Sequence, residues 1–311
     1  MTDAIGDRVP AIVADWYQRA AADPARVVLA DLGDPRADFA AIQLVDEGLV
    51  QPVHPIVDRG DENQSEAIAR AEAAGFDVAD PVVAATVLVR SGAADAAVAG
   101  ASRPTADVLR VGLKVLGVAS GVDLVSSCFL LVLADGRTVA YGDCGVVPDP
   151  DELQLAAIAA STADTWMALA GTGSVAPRVA MLSFSTHGSA EHPRVDKVRE
   201  ATRRLIEARP DLVVDGELQF DAAMVPAVAA AKAPASPVAG AADVLVFPDL
   251  DSGNIAYKVT ERLGGARAYG PLLQGLDGVL HDLSRGCSAA DIVDVSVIAG
   301  LQVRARQRAD S

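Results

Sequence analysis

The chain has 311 residues, more than a typical single domain, so two domains with a cleft between them are expected. Its 42 acidic residues outnumber its 26 basic residues and give a formal net charge of −16. A surface of that sign repels nucleic acid and anionic membranes, so we expect neither among the partners.

Helical and extended patterns alternate along the first part of the chain. Helices are predicted over residues 7–22, 34–47, 63–75, 81–90 and 104–117. Strands are predicted over residues 25–31, 50–58 and 94–102. The prolines of the segment 50–58 favour a position at a sheet edge, because proline cannot donate to a strand ladder.

The middle of the chain begins with a predicted hairpin over 122–144, with Gly136 in its turn. Helices are then predicted over 151–170, 193–208 and 252–263. A further helix is predicted between residues 217 and 242. Strands are predicted over 178–185, 211–217 and 242–249. Strands separated by helices favour parallel sheets in an α/β fold. We place one domain over 1–121 plus 271–311 and a second over 122–270.

Cysteine usage and the N-terminal sequence favour a cytoplasmic protein. The three cysteines, Cys128, Cys144 and Cys287, are widely spaced and form neither a disulfide framework nor a zinc motif. The first 16 residues carry charges where a signal peptide has an apolar core. We therefore expect a soluble protein with no metal site.

Two of the four loops that follow predicted strands are rich in hydroxyl groups, and open α/β sheets bind ligands at such loops. In the loop 100–110, Ser102 or Thr105 can begin a helix whose free N–H groups suit a phosphate, with Arg110 nearby. An ordinary helix cap and a surface arginine explain that loop equally well. In the loop 183–193, Ser185 and Thr186 could hold an oxyanion, although any strand-to-helix turn has similar residues.

The other two loops carry acidic and basic residues. The segment 213–226 contains three carboxylates, for which a solvated helix start is the preferred interpretation over acid/base chemistry or a divalent metal. In LSRGCSAADIV (283–293), Ser288 and Asp291 have the spacing of a helix capping box. That box does not explain Arg285, which lies between Ser284 and a glycine. A guanidinium in a tight turn indicates an anion site.

Long segments of the chain resemble phosphate acetyltransferases (phosphotransacetylases) of the phosphate acetyl- and butyryltransferase family. They include VDGELQFDAAMVPAVAAAKAPASPVAG, FPDLDSGNIAYKVTERLGGARAYGPLLQGL, MLSFSTHGSAEHPRVDKV and HDLSRGCSAADIV. The resemblance runs from about Ala94 to Val303 and is closest to the short form found with ethanolamine utilisation. It implies a two-domain α/β/α fold similar to isocitrate and isopropylmalate dehydrogenases, with the active site in the inter-domain cleft, usually in a homodimer.

The same resemblance implies transfer of an acetyl group between coenzyme A and orthophosphate. Acetyl-CoA, CoA, phosphate and acetyl phosphate would then be the partners, with coenzyme A as a substrate and no other cofactor. It makes Ser284 the catalytic serine, Arg285 the substrate-binding arginine and Asp291 the general base, which we expect to be partly buried. Arg110 would contact coenzyme A or substrate, and Thr105 would help to hold the acyl phosphate.

The sequence departs from the family between residue 75 and Pro81, where relatives carry a longer segment with an arginine linked to coenzyme A. Arg103–Pro104 also stands where small polar residues are typical. Either Arg103 compensates for the missing charge, or coenzyme A binding is weakened. The departure favours a non-catalytic homologue as one alternative. A longer acyl substrate (propionyl or butyryl) is the other, because one sequence does not map the pocket residues that set acyl preference.

Overall fold

In the computed structural model, which describes residues 10–170 and 176–309, two β-sheets organise the chain. The strands are β1 Ala25–Leu29, β2 Val50–Val53, β3 Ala96–Ala99, β4 Ser126–Val132, β5 Thr138–Gly142, β6 Arg178–Leu182, β7 Val213–Leu218, β8 Val244–Val246, β9 Arg267–Gln274 and β10 Val279–Asp282. The α-helices are α1 Ala11–Ala22, α2 Pro35–Asp46, α3 Ser65–Ala73, α4 Pro81–Arg90, α5 Thr105–Val115, α6 Glu152–Leu169, α7 Pro193–Ala208, α8 Phe220–Met224, α9 Pro226–Lys232, α10 Leu250–Arg262 and α11 Ala289–Ala309.

The first sheet has four parallel strands in the order β10-β3-β1-β2. The strand β3 is buried along its whole length, as expected for a strand covered by helices on both faces. The proline-containing strand β2 lies at an edge, which confirms the prediction made from its prolines. The start of the predicted helix 7–22 lies outside the described residues, and α1 is described from Ala11.

The second sheet has six strands in the order β7-β6-β8-β5-β4-β9. The predicted hairpin is present as the antiparallel pair β4–β5, and β4 also pairs antiparallel with β9. The remaining pairs of this sheet are parallel. The mostly parallel α/β fold is therefore confirmed.

Two segments connect the sheets. The chain passes from α5 to β4 and returns between β9 and β10, and the two crossings pair through a bridge between Val118 and Leu276. The N–H of Ala119 also donates to the carbonyl of Gly275 at 2.9 Å. Residues 271–274, which the predicted division gives to the first domain, form part of β9 in the six-stranded sheet. The division itself stays a prediction.

The last helix, α11, ties the two sheets together. It is buried from Ile292 to Val303 apart from Asp294, which is half-buried. It packs against β1, β3 and β9 as well as α2 and α6. One continuous hydrophobic core therefore contains residues from both sheets, such as Val27 and Leu130. All three cysteines are buried and free, and none of the described helices is long and apolar enough to cross a membrane.

Candidate active site

The carboxyl edge of the four-stranded sheet brings three loops together. Because β1, β3 and β10 are parallel neighbours, the loops that follow them leave from the same edge. The N–H of Leu283 donates to the carbonyl of Ala99 at 2.7 Å and fastens the third loop beside the second. The predicted loops 100–110 and 283–293 are thus adjacent in space.

Two buried carboxylates lie beneath these loops. Asp31 is 8% exposed and accepts hydrogen bonds from the N–H groups of Ala101 and Ser102 and from the Ser102 hydroxyl at 2.6 Å. Asp282 is fully buried, and its Oδ2 accepts a hydrogen bond from Thr105 Oγ1 at 2.5 Å. Burial, together with the charge of Asp31, raises the pKa of Asp282 to about 7 in spite of that bond.

The helix α5 begins at Thr105, as predicted, but neither Ser102 nor Thr105 caps it. The N-cap residue of α5 is Pro104, and no side chain caps this helix end. The Ser102 hydroxyl is directed to Asp31 and the Thr105 hydroxyl to Asp282.

Arg36 of α2 joins the second and third loops. Its Nη1 donates to the carbonyl oxygens of Arg285 at 3.0 Å and Cys287 at 2.9 Å. Its Nη2 donates to the carbonyl of Ala101 at 2.9 Å and pairs with Asp34 at 2.8 Å. Since one planar guanidinium reaches both loops, Arg36 fixes the backbone that carries Arg285.

Asp31, Arg36 and Asp282 were missed by the sequence analysis. Asp31 lies two residues after the end of strand β1, and Asp282 is the last residue of β10. An acidic residue at the carboxyl end of an apolar strand was the available signal for both. Arg36 gave no signal beyond its place in the first turn of α2.

A cleft of about 180 Å³ separates the third loop and the start of α11 from the second sheet. Ser284, Gly286 and Asp291 line one side of it. The other side includes Tyr257 of α10 and Tyr269 of β9. Ser284 and Asp291 are thereby placed in a cleft between elements of the two sheets.

Asp291 forms the predicted capping box with Ser288. Its Oδ2 accepts hydrogen bonds from the N–H of Ser288 at 2.7 Å and from its hydroxyl at 2.9 Å. The N–H of Asp291 in turn donates to Ser288 Oγ at 3.2 Å. The expectation of partial burial is wrong, because Asp291 at the first turn of α11 is exposed.

Arg285 is exposed as well, and its guanidinium has no hydrogen-bond or ion-pair partner within the described parts of the chain. Its carbonyl oxygen, in contrast, is held by Arg36. The backbone is thus anchored while the charged group is available to an anion.

The two other predicted substrate arginines contact the segment before α4, where the sequence predicts a departure from the family. Arg103 pairs with Asp80 at 2.7 Å. Arg110 pairs with Asp107 at 3.1 Å and lies 6.0 Å from the centre of the Phe76 ring. Neither lines the cleft that contains Ser284 and Asp291.

Ser185 and Thr186 are not brought to that cleft either. Both are buried, and Ser185 Oγ donates to Glu217 at 2.8 Å while Thr186 Oγ1 bonds to Gln219. Burial acts to raise the pKa of Glu217, but hydrogen bonds from Arg199, from a backbone N–H and from Ser185 outweigh it and hold the pKa at about 2. Glu217 and Arg199 therefore form an ion pair that belongs to the local structure.

The other two carboxylates of the segment 213–226 also have local partners. Asp215 bonds to His187 at 3.1 Å, and Asp221 pairs with Lys232 at 2.9 Å. Over residues 10–170 and 176–309, no three His, Cys, Asp or Glu side chains are grouped as a metal site requires.

A family model described as "Phosphate acetyl/butaryl transferase" matches residues 54–300. The chain belongs to this family. A phosphate acetyltransferase from Acetivibrio thermocellus is 49% identical over 238 residues, which cover 75% of this chain and 71% of the relative.

Solved structures of family members share the fold. A phosphotransacetylase from Streptococcus pyogenes is 35% identical with a TM-score of 0.88, covering 96% of this chain and 99% of its own. The EutD phosphotransacetylase from Staphylococcus aureus is 32% identical with a TM-score of 0.83, covering 94% and 98%. A Salmonella typhimurium chain described as a 4-hydroxythreonine-4-phosphate dehydrogenase, 14% identical with a TM-score of 0.51 over 90% and 99%, agrees in fold alone. The predicted family and dehydrogenase-like fold are thus confirmed.

Proposed function

We propose that the protein is a phosphate acetyltransferase, which interconverts acetyl-CoA and phosphate with acetyl phosphate and CoA. The observation that carries the proposal is that Ser284 and Asp291 line one cleft. Arg285, which follows Ser284 in the chain, does not line that cleft, but it is exposed and its guanidinium has no partner among the described residues. Membership of the transferase family supports the same reaction.

The reaction begins with the thiol of coenzyme A, which has a pKa of about 8.5 and is mostly protonated at neutral pH. Asp291 accepts the proton as the sulfur attacks the carbonyl carbon of acetyl phosphate. Ser284 donates a hydrogen bond to the oxyanion that forms, and Arg285 balances the phosphoryl charge. The bond between the carbonyl carbon and the phosphate oxygen then breaks, which gives acetyl-CoA and free phosphate.

The proposal includes the substrates and the assembly of the enzyme. Coenzyme A acts as a substrate, and the transfer needs no further cofactor. We place the enzyme in the cytoplasm as a homodimer. Ile255 and Val259 of α10 and Leu263, directly after its end, are exposed and offer an apolar surface for a second copy.

Formation of acetyl phosphate from acetyl-CoA and phosphate tests the proposal. In Asp291→Asn the amide still accepts the hydrogen bonds of Ser288, so the helix cap survives and only the base is lost. We expect kcat to fall by about 10²–10⁴-fold and the free energy of unfolding to change by less than about 1 kcal/mol. Arg285→Ala should raise the KM for phosphate without loss of stability, because its guanidinium has no partner among the residues that the structure describes.

The control is Asp151→Asn, which makes an Asp→Asn change at the N-cap position of the α6 capping box, outside the cleft. That variant should keep the kcat of the wild type. Normal turnover by Asp291→Asn would remove the role of the base. If the wild type is inactive with acetyl, propionyl and butyryl donors, the chain is instead a non-catalytic homologue.

A further inference from the structure

The cleft that contains Ser284 and Asp291 is small, and its lining changes from polar to apolar. Its volume is about 180 Å³, below the range of about 300–1,000 Å³ that is usual for the pockets of drug-sized ligands. Ser284 and Asp291 are exposed and belong to its open side. Leu283 and Val295, which also line it, are buried and belong to its inner side. A small ligand with one charged end and one short apolar end therefore fits with its apolar end inward.

Val295 belongs to the inner side of the cleft, next to the proposed base. It follows Asp291 by four residues in α11, so the two side chains lie on the same face of the helix, one turn apart. Its side chain is 3% exposed and lines the cleft. Because a valine within a helix strongly prefers one side-chain rotamer, Val295 does not turn aside to make room for a ligand.

Aromatic rings line the cleft opposite α11. Phe129 and Tyr257 stack on each other, with their ring centres 3.9 Å apart and their planes inclined by 13°. The ring of Tyr269 makes an edge contact with Trp16, with the ring centres 5.2 Å apart. Since each of these lining rings is packed against another aromatic ring, this wall has little freedom to retreat.

We propose that Val295 is a specificity-determining residue that, together with the aromatic wall, closes the inner end of the cleft to acyl chains longer than acetyl. The inference rests on the proposed function, because that function places the acyl group of the substrate in the cleft of Ser284 and Asp291. Propionyl adds one carbon to the acetyl chain, and butyryl adds two. A valine side chain has two carbons more than that of alanine, so Val295→Ala frees about the space that a butyryl chain needs.

Calorimetric titration with acetyl phosphate and with butyryl phosphate tests the inference in the absence of coenzyme A, so that no acetyl transfer takes place. The measured quantity is the dissociation constant for butyryl phosphate divided by that for acetyl phosphate, since this ratio cancels a general loss of affinity. One methylene group changes selectivity in an apolar pocket by about 10–200-fold, so the wild-type ratio should be at least about ten. Val295→Ala should lower the ratio about tenfold or more.

The matched control is Val297→Ala, which makes the same change in the same helix. Val297 is fully buried but does not line the cleft. This variant should lose stability as Val295→Ala does, because both remove buried methyl groups. Its ratio of dissociation constants should nevertheless stay that of the wild type.

A second variant keeps the test independent of whether Val295→Ala folds. Val295→Ile adds one carbon to the inner wall and opens no cavity. It should weaken the binding of acetyl phosphate about tenfold, whereas inorganic phosphate, which has no acyl group, should bind as it does to the wild type. Equal effects on acetyl phosphate and inorganic phosphate would contradict the inference.

An unchanged ratio in Val295→Ala would also overturn the inference, and so would a wild type that binds the two acyl phosphates equally or binds neither. Formation of acetyl phosphate from acetyl-CoA and phosphate, measured separately, reports on the proposed function. Turnover with an unchanged ratio overturns the inference alone. A ratio that falls as expected, without turnover, supports the inference and contradicts the proposed function.

Discussion

Burial of Asp282 should make the stability of the fold depend on pH. Its pKa rises from 3.8 to about 7 on folding, mainly because burial disfavours the charged form. The folded state therefore binds a proton more tightly than the unfolded chain. This contribution to stability is complete below about pH 4 and is lost as the pH rises to about 7. Its upper limit is about 4 kcal/mol.

Asp282→Asn removes this titration. Relative to the wild type, the variant should gain unfolding free energy between pH 5 and pH 8, by up to about 2–3 kcal/mol. Urea denaturation at the two pH values measures the difference. Asp135→Asn, at an exposed turn, is the control for a general effect of charge. Parallel pH profiles for the wild type and Asp282→Asn would contradict the prediction.

The distance between partners along the chain decided which site residues the sequence could reveal. The bonds between Ser288 and Asp291 span three residues, so the spacing alone predicted them. Thr105 and Asp282 are 177 residues apart, and Arg36 and Arg285 are 249 apart. No local pattern encodes such contacts, because they exist only after the parallel sheet has formed.

At the scale of elements, the segment before α4 supplies the ion-pair partner of Arg103. Asp80 has two tasks there, since it caps α4 by accepting from Val82 and Val83 and also pairs with Arg103. Both members of the pair are partly exposed, so the pair contributes little to stability. The cap and the ion pair can therefore be separated by one substitution.

Asp80→Asn keeps a good N-cap and removes the charge that holds Arg103. If Arg103 supplies the basic charge that the sequence analysis expects relatives to carry before α4, this variant should lower the KM for coenzyme A severalfold, and Arg103→Ala should raise it. Melting temperatures should stay close to the wild type in both cases. Steady-state kinetics with varied coenzyme A measure the effect. An unchanged KM in both variants would show that Arg103 takes no part in binding.

Two strands, β9 and β10, had no counterpart among the predicted elements. The strand β9 contains Gly270 and Pro271, which usually end a strand, yet β9 lies at the edge of its sheet, where a proline is tolerated. The strand β10 has four buried residues, too few to show a periodicity. The longer and more regular helices α6 and α7 could be predicted almost to their ends.

At the scale of the whole molecule, the cleft depends on how the two sheets are joined. The core around α11 is shared by both, and the paired crossings beside Val118 and Leu276 form the covalent connection. A change at a crossing should therefore act on the whole fold, whereas the same change in an open turn acts locally.

Gly275, in the returning crossing, provides the test. It has φ +83°, and a Cβ there would overlap the carbonyl oxygen of Leu124 and lie 3.1 Å from Val122. Gly265 has a similar φ of +68°, but nothing lies within 4 Å of a Cβ at that position. Both Gly→Ala variants incur a backbone strain of about 1–2 kcal/mol, and only Gly275→Ala adds the steric overlap.

We expect Gly275→Ala to destabilise the protein by about 2 kcal/mol or more beyond Gly265→Ala, as measured by urea denaturation. Because the overlap forces the two crossings apart, acetyl phosphate formation should also be slower in Gly275→Ala at temperatures where it is still folded. Equal losses of stability in the two variants would mean that the crossing shifts to accommodate the added methyl group at no cost in stability. The geometry of the cleft would then have to be held by α11 alone.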